Sequence, residues 1–174
     1  MNILMNILSA HFKDRLFGAP NEIAILDHLA ECIRQHVDER YASAQLFNPA
    51  LNNLHLVAYR EFAKAQIERF DDVPITSGTT CARAARHRVP VLVPDVTTDI
   101  GWTPYLSFSE EAGFGGLLSL PLLTRAGDPL GVTSCHFAGL AKPTETELNF
   151  ARVSCNFASD AIVELRRRRD GAIE

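Results

Sequence analysis

Apolar residues along the chain fall into two rhythms, and the points where the rhythm changes mark the elements. From Asn21 to about His36, the side chains of Leu26, Leu29, Ile33 and Val37 recur at helical spacing behind an asparagine suited to cap the first turn, so a helix is expected there. A shorter amphipathic helix precedes it. The doubled MNILMNIL sets Ile3/Leu4 and Ile7/Leu8 one turn apart, Leu16 and Phe17 continue the pattern, and Gly18-Ala19-Pro20 stops it. Tyr41 to Phe47 alternates instead, and Asn48-Pro49 and Asn52-Asn53 separate it from His55 to Tyr59, which predicts a β-hairpin. Phe62 to Phe70 returns to helical character and ends at Val73-Pro74, because the residue before a proline avoids the α region. Thr76 to Cys81 is a turn of small residues that leads into an Ala- and Arg-rich helix through about His87, and Val89 to Val93 makes a short buried strand.

The long connection from Asp95 to about Gly113 contains Trp102, Tyr105 and Phe108; a loop of that length inside a compact domain is usually functional, a lid for instance. After it, Gly116 to Phe137 reads as two Leu- and Val-rich runs around Arg125-Ala126-Gly127-Asp128, an antiparallel hairpin whose glycine can take positive φ. The second run ends in Ser134, Cys135 and His136, where a purely structural strand would carry Val or Ile. A pocket floor is one reason for polar groups at that point. Thr144 with Glu147 forms a capping box that opens a long helix, apolar along Leu148, Ala151, Cys155, Ala158, Ile162 and Leu165. A second stripe, Phe150, Val153, Phe157 and Ala161, faces either the N-terminal helix or its copy in a dimer.

Length and composition narrow the class. The 174 residues, 47% of them hydrophobic, suit one globular domain with a real core. A net charge of −4 gives no general attraction to nucleic acid or anionic lipid, so the Arg166 to Arg169 run is a local feature, a solvated helix end. Four cysteines without CxxC spacing fit reduced thiols in a cytoplasm. Lys13 and Asp14 interrupt the N-terminal apolar stretch too early for a signal peptide or membrane span. A soluble cytoplasmic protein is expected.

Five segments carry a family resemblance when taken in order. They are Leu54 to Tyr59 with Arg60-Glu61-Phe62, Ser77 to Ala84, Val91 to Val96, Leu118 to Leu122, and Leu130 to Ser134 followed by the capped helix. Over roughly residues 21–165 this order resembles the GAF domain family, in the flavour that accompanies bacterial sensor kinases. The resemblance implies an α/β (α+β) fold, GAF/PAS-like, with a central antiparallel sheet of five or six strands and helices on both faces. Residues 1–20 would then be a helical extension and 166–174 a basic tail. It also implies a sensory or regulatory module that binds a small molecule between the sheet and the Asp95 to Gly113 loop. The expected ligand-binding residues are Tyr59, Cys81, Asp95, Trp102, Tyr105, Phe108, Ser134 and His136. Terminal helices pairing in a homodimer would relay the signal to a histidine kinase or another output partner. The competing expectation is a dimerisation scaffold whose pocket its own side chains fill.

The same resemblance bears on cofactors and catalysis. Phytochromes attach bilin through a cysteine on the helical region before the last hairpin, here Ser107 to Gly113, which has no cysteine; a covalent bilin is not expected. His136 instead looks like the later strand histidine that contacts the pigment, and the alternative for it is a buried imidazole satisfied by a carbonyl. Haem is not expected either, since nothing marks an axial-ligand site. A cyclic nucleotide is disfavoured because Ala138 to Pro143 lacks the motif of that subfamily. GAF-fold reductases of free methionine sulfoxide carry a cysteine where Cys81 stands, but their nucleophile lies on the loop before the last hairpin, and no cysteine occurs between Ile100 and Gly116. Oxygen transfer would have no thiolate to begin it, and the chain is expected not to be an enzyme. An exposed Cys81 at a helix start would be redox-sensitive. His28, Cys32 and His36 line one helix face, but the row spans about two turns, too far for one tetrahedral zinc.

Overall fold

The computed structural model describes residues 3–37, 39 and 41–171, with backbone alone for residues 3–9. Its six helices and six strands run α1 Ile3–Phe17, α2 Glu22–His36, β1 Tyr41–Asn48, β2 Asn53–Arg60, α3 Lys64–Ile67, β3 Asp72–Pro74, α4 Thr80–His87, β4 Val91–Val93, α5 Leu106–Ala112, β5 Gly116–Leu123, β6 Pro129–Phe137 and α6 Glu145–Gly171. All six strands form one antiparallel sheet in the order β3-β2-β1-β6-β5-β4. The expected sheet with helices on both faces is what forms.

On one face lie α1, α2 and α6. Helix α2 starts where Asn21 Oδ1 accepts the Ala24 N–H at 2.9 Å. It buries Leu26, Leu29 and Ile33 completely, each contributing about 1.5–3 kcal/mol of burial. Helix α6 starts at the expected capping box, with the Glu147 N–H donating to Thr144 Oγ1 at 3.2 Å and the Thr144 N–H to Glu147 Oε2 at 2.6 Å. Its second stripe is covered within the chain at two aromatic positions, where Phe150 stacks on His36 of α2 at 3.6 Å between ring centroids and Lys13 of α1 lies 4.0 Å over the Phe157 ring, while Val153 stays exposed. Ala42 and Ala44 of β1, Leu118, Leu120 and Leu122 of β5, and Cys135 and Phe137 of β6 face this layer. Strand periodicity turns their neighbours to the opposite side.

That opposite side carries α3, α4 and α5 over a second core of Phe62, Phe70, Trp102, Phe108, Phe114 and Leu117. Alanines at 82, 84 and 85 let α4 lie close to β5 and β6. Two features depart from the sequence expectation. Val73-Pro74, expected only to end a helix, belongs to an edge strand in which Val73 pairs with Leu54, a position where proline forfeits no interior ladder bond. The Asp95–Gly113 connection is mostly helical: 3-10 turns at Val96–Thr98 and Ile100–Tyr105 run into α5, which ends at Gly113 with φ +78°. Glycine takes that left-handed conformation without a Cβ clash.

Candidate functional site

Strands β1, β6 and β5 align three serines across the second face, Ser43 opposite Ser134 and Ser134 opposite Ser119. Ser119 Oγ and Ser134 Oγ share a hydrogen bond of 2.8 Å, and Ser43 Oγ lies 3.4 Å from His136 Nε2. One residue pair along, Gln45 Nε2 donates to the Phe70 carbonyl at 3.3 Å. All of these groups are buried, in the middle of a sheet where β-branched residues would pack best.

Above this polar floor sits a small cavity. Ser43, Gln45, Leu56, Ser134 and His136 line it from the sheet, and Ile67, Phe70, Thr80, Cys81, Trp102 and Phe108 line it from the covering helices and turns. It offers about 20 Å³ to the centres of water molecules, room for about one or two waters. Its aromatic roof is continuous. Phe70 lies 4.8 Å from Phe108 and 6.2 Å from Trp102, to which it is nearly parallel, while Phe62 and Phe114 each meet His136 edge-on at 4.8 Å.

Two buried polar atoms at the cavity lack a partner, the Trp102 indole Nε1 and His136 Nδ1. Trp102 and His136 are only 3% and 5% exposed, so bulk solvent does not reach either group. Burial drives the His136 pKa down to about 3, which keeps the imidazole neutral. Burial also pushes the Cys81 thiol up. Its place in the first turn of α4 and its contact with Thr79 Oγ1 at 3.3 Å do not offset that cost. An exposed, redox-sensitive Cys81 is therefore not what the fold produces.

Five of the residues expected from sequence, Cys81, Trp102, Phe108, Ser134 and His136, meet at this cavity. Three do not line it. Tyr59 is half-buried against the aromatic core on β2. Tyr105 packs outside Trp102 and Phe70 at 5.3 and 5.5 Å. Asp95 is half-buried and caps a 3-10 turn, accepting from the Thr97 N–H and hydroxyl at 2.9 and 2.6 Å, bonds that hold its carboxyl below the usual range. Ser43 and Gln45 went unread in the sequence. Their signal was the alternation Ala42-Ser43-Ala44-Gln45, which puts small apolar groups on one face of a central strand and polar ones on the other.

The covering segment is pinned to α4. Asp99 accepts from the Trp102 N–H through Oδ1 at 3.0 Å and pairs with Arg83 through Oδ2 at 3.0 Å. Beside that pair, Gly78 and Gly101 approach so closely that a Cβ on Gly78 would lie 2.8 Å from the Gly101 carbonyl oxygen. Cys32, Cys135 and Cys155 belong to the helix layer across the sheet, so among the described residues no second thiol stands on Cys81's side. His28 meets Arg15 at 3.2 Å while His36 stacks on Phe150, and no group of three or more potential metal ligands assembles among the described residues.

A sequence model of the GAF domain matches residues 20–163. The chain belongs to the GAF domain family. Solved GAF domains share its fold at low identity. The GAF domain of a phosphoenolpyruvate-protein phosphotransferase from Coxiella burnetii superposes with a TM-score of 0.79 at 16% identity, covering 97% of this chain and 99% of that one. Free methionine-R-sulfoxide reductase from Neisseria meningitidis, solved with its substrate, gives 0.75 at 15% identity, covering 91% and 88%. A domain of a protein assigned as a two-component sensor histidine kinase from Sinorhizobium meliloti gives 0.69 at 18%, covering 83% and 94%. No curated protein matches the chain in sequence. GAF domains of this shape thus include both signalling proteins and a reductase, and the fold by itself does not choose between them.

Proposed function

We propose that this GAF domain is a cytoplasmic sensory or regulatory module, not an enzyme, that binds a small molecule in the cavity beneath Trp102 and relays occupancy through α1 and α6. The observation that carries the proposal is the pair of unpartnered nitrogens, Trp102 Nε1 and His136 Nδ1, buried at one cavity. A buried polar group without a partner costs about 1–3 kcal/mol, and a ligand that hydrogen-bonds both would recover that energy. Ligand entry needs the roof to shift, because small-molecule pockets have volumes of about 300–1,000 Å³. A shift of the sheet on that side reaches the helix layer directly, since Cys135 of β6 faces α6 while its neighbours Ser134 and His136 face the cavity. Exposed Val153 and Val163 on α6 give a surface for self-association, and a histidine kinase or another output protein would be the receiver.

The scaffold reading rests on the small free volume of the cavity, about 20 Å³. Native mass spectrometry of the purified protein separates the two. A non-covalent adduct on a dimer is the outcome the sensor reading expects. An unliganded dimer with no ligand-dependent change in melting would favour the scaffold.

A further inference from the structure

We infer that the cavity takes an uncharged, planar heterocycle that carries at least one hydrogen-bond acceptor. The inference rests on the sensor reading and specifies its ligand. The first argument is charge. None of the described side chains lining the cavity is ionised at neutral pH, because Cys81 and His136 are both held neutral by burial. Asp95, the one carboxylate expected there, is outside. Arg83 pairs with Asp99 at 3.0 Å and neither side chain lines the cavity, although Arg83 Nε and Nη2 are buried without a partner. A carboxylate, a phosphate or an ammonium entering this site would lose its hydration without meeting a countercharge. A free amino acid would bring two such charges.

The second argument is polarity. The indole N–H of Trp102 can only donate, and it has no acceptor. Thr80 and Cys81 bring the first turn of α4 to the same cavity, and the backbone N–H groups of a first helical turn are donors as well. The Trp102 indole is thus an unpartnered donor at the lining, while His136 Nδ1 can serve either way according to its tautomer. A carbonyl oxygen or a pyridine-type ring nitrogen matches that set.

The third argument is shape. Phe70 and Trp102 lie nearly parallel, 5° between planes and 6.2 Å between centroids, and Phe108 completes the wall. Flat rings offer such walls offset-stacked or edge-on contact.

One tryptophan in the chain means one indole N–H cross-peak in a ¹⁵N-correlated spectrum, and that peak reports the cavity. The probes are fragments on two shared rings: nicotinamide, nicotinate and 3-(aminomethyl)pyridine, which are of nearly equal size, together with the larger quinolin-2-one and its 4-carboxylate. The expected result is a saturable shift of the Trp102 peak by the neutral fragments, at least tenfold tighter than by the anionic and cationic members. Trp102→Phe, followed by ligand-observed saturation transfer, should weaken the neutral fragments about tenfold. Equal or tighter binding of the charged members overturns the inference and leaves the sensor reading standing. If no fragment moves the peak, the inference also falls, and native mass spectrometry separates the cases. An adduct spares the sensor reading, whereas a clean spectrum removes both.

Discussion

His136 couples the cavity to pH. Its imidazole titrates at about 3 in the folded protein, against 6.5 ordinarily, because burial disfavours the charged form. As pH falls the unfolded chain takes up the proton first, so the folded state is favoured fully above about pH 6.5 and loses that advantage progressively toward pH 3. The slope approaches about 1.4 kcal/mol per pH unit once the unfolded histidine is charged. His136→Gln should flatten urea-unfolding stability between pH 6 and pH 4 relative to the parent, while a parallel loss in both proteins would assign the acid sensitivity to other groups. Individual residues were partly legible. Ser134, His136 and Cys81 stood out because polar or reactive groups interrupt apolar or small-residue runs, whereas Ser43 and Gln45 look ordinary until β1 is placed in the sheet centre. Asp95 stands outside the cavity lining for a physical reason: an aspartate at the end of a strand is as well suited to capping the next turn, which is what it does here.

At the scale of elements, the turn that carries Trp102 depends on one carboxylate. Asp99 both caps the turn and holds Arg83, with side chains 18% and 24% exposed. Asp99→Ala should lower unfolding stability by about 1–2 kcal/mol and shift Trp102 emission to the red as the roof loosens. Unchanged emission would mean that the contact of Gly78 with Gly101 alone keeps the turn seated. The main helices and both hairpins could be read from sequence because caps and periodicity are local signals. Strand β3 could not, since three residues contain too little periodicity and their pairing with β2 is a tertiary event. The helical character of residues 96–112 was hidden in the same way by Pro104 and by short turns that long-window periodicity does not detect.

At the scale of the molecule, the sheet divides two cores of different chemistry, one aliphatic beneath α1, α2 and α6 and one aromatic around the cavity. Helix α1 joins the first through Leu16 and through Lys13 over Phe157, and α6 is tied to α2 by Arg166 on Glu22 at 2.8 Å. Phe157→Ala should free α1 selectively: hydrogen exchange would accelerate across α1 while the amides of β1, β5 and β6 keep their protection. Acceleration throughout would show α1 to be integral to the folding unit. The two-layer arrangement was legible from the two stripes on α6, though sequence left open whether the second stripe met a neighbour within the chain or outside it. Phe150 against His36 answers that for one of its residues.

The segment over the cavity is fastened at both ends, by Asp99 and the Gly78–Gly101 approach at one and by the Gly115 N–H donating to the Phe137 carbonyl of β6 at the other. It therefore behaves as a buckled strap rather than a hinged flap. A guest larger than a water must displace its middle, around Tyr105 to Phe108, and these aromatic bonds are the ones chymotrypsin cuts. Nicking there should be slow in the closed form, fast in Asp99→Ala, and altered by any guest that reshapes the strap, so a cleavage rate on a gel reads how often the roof lifts.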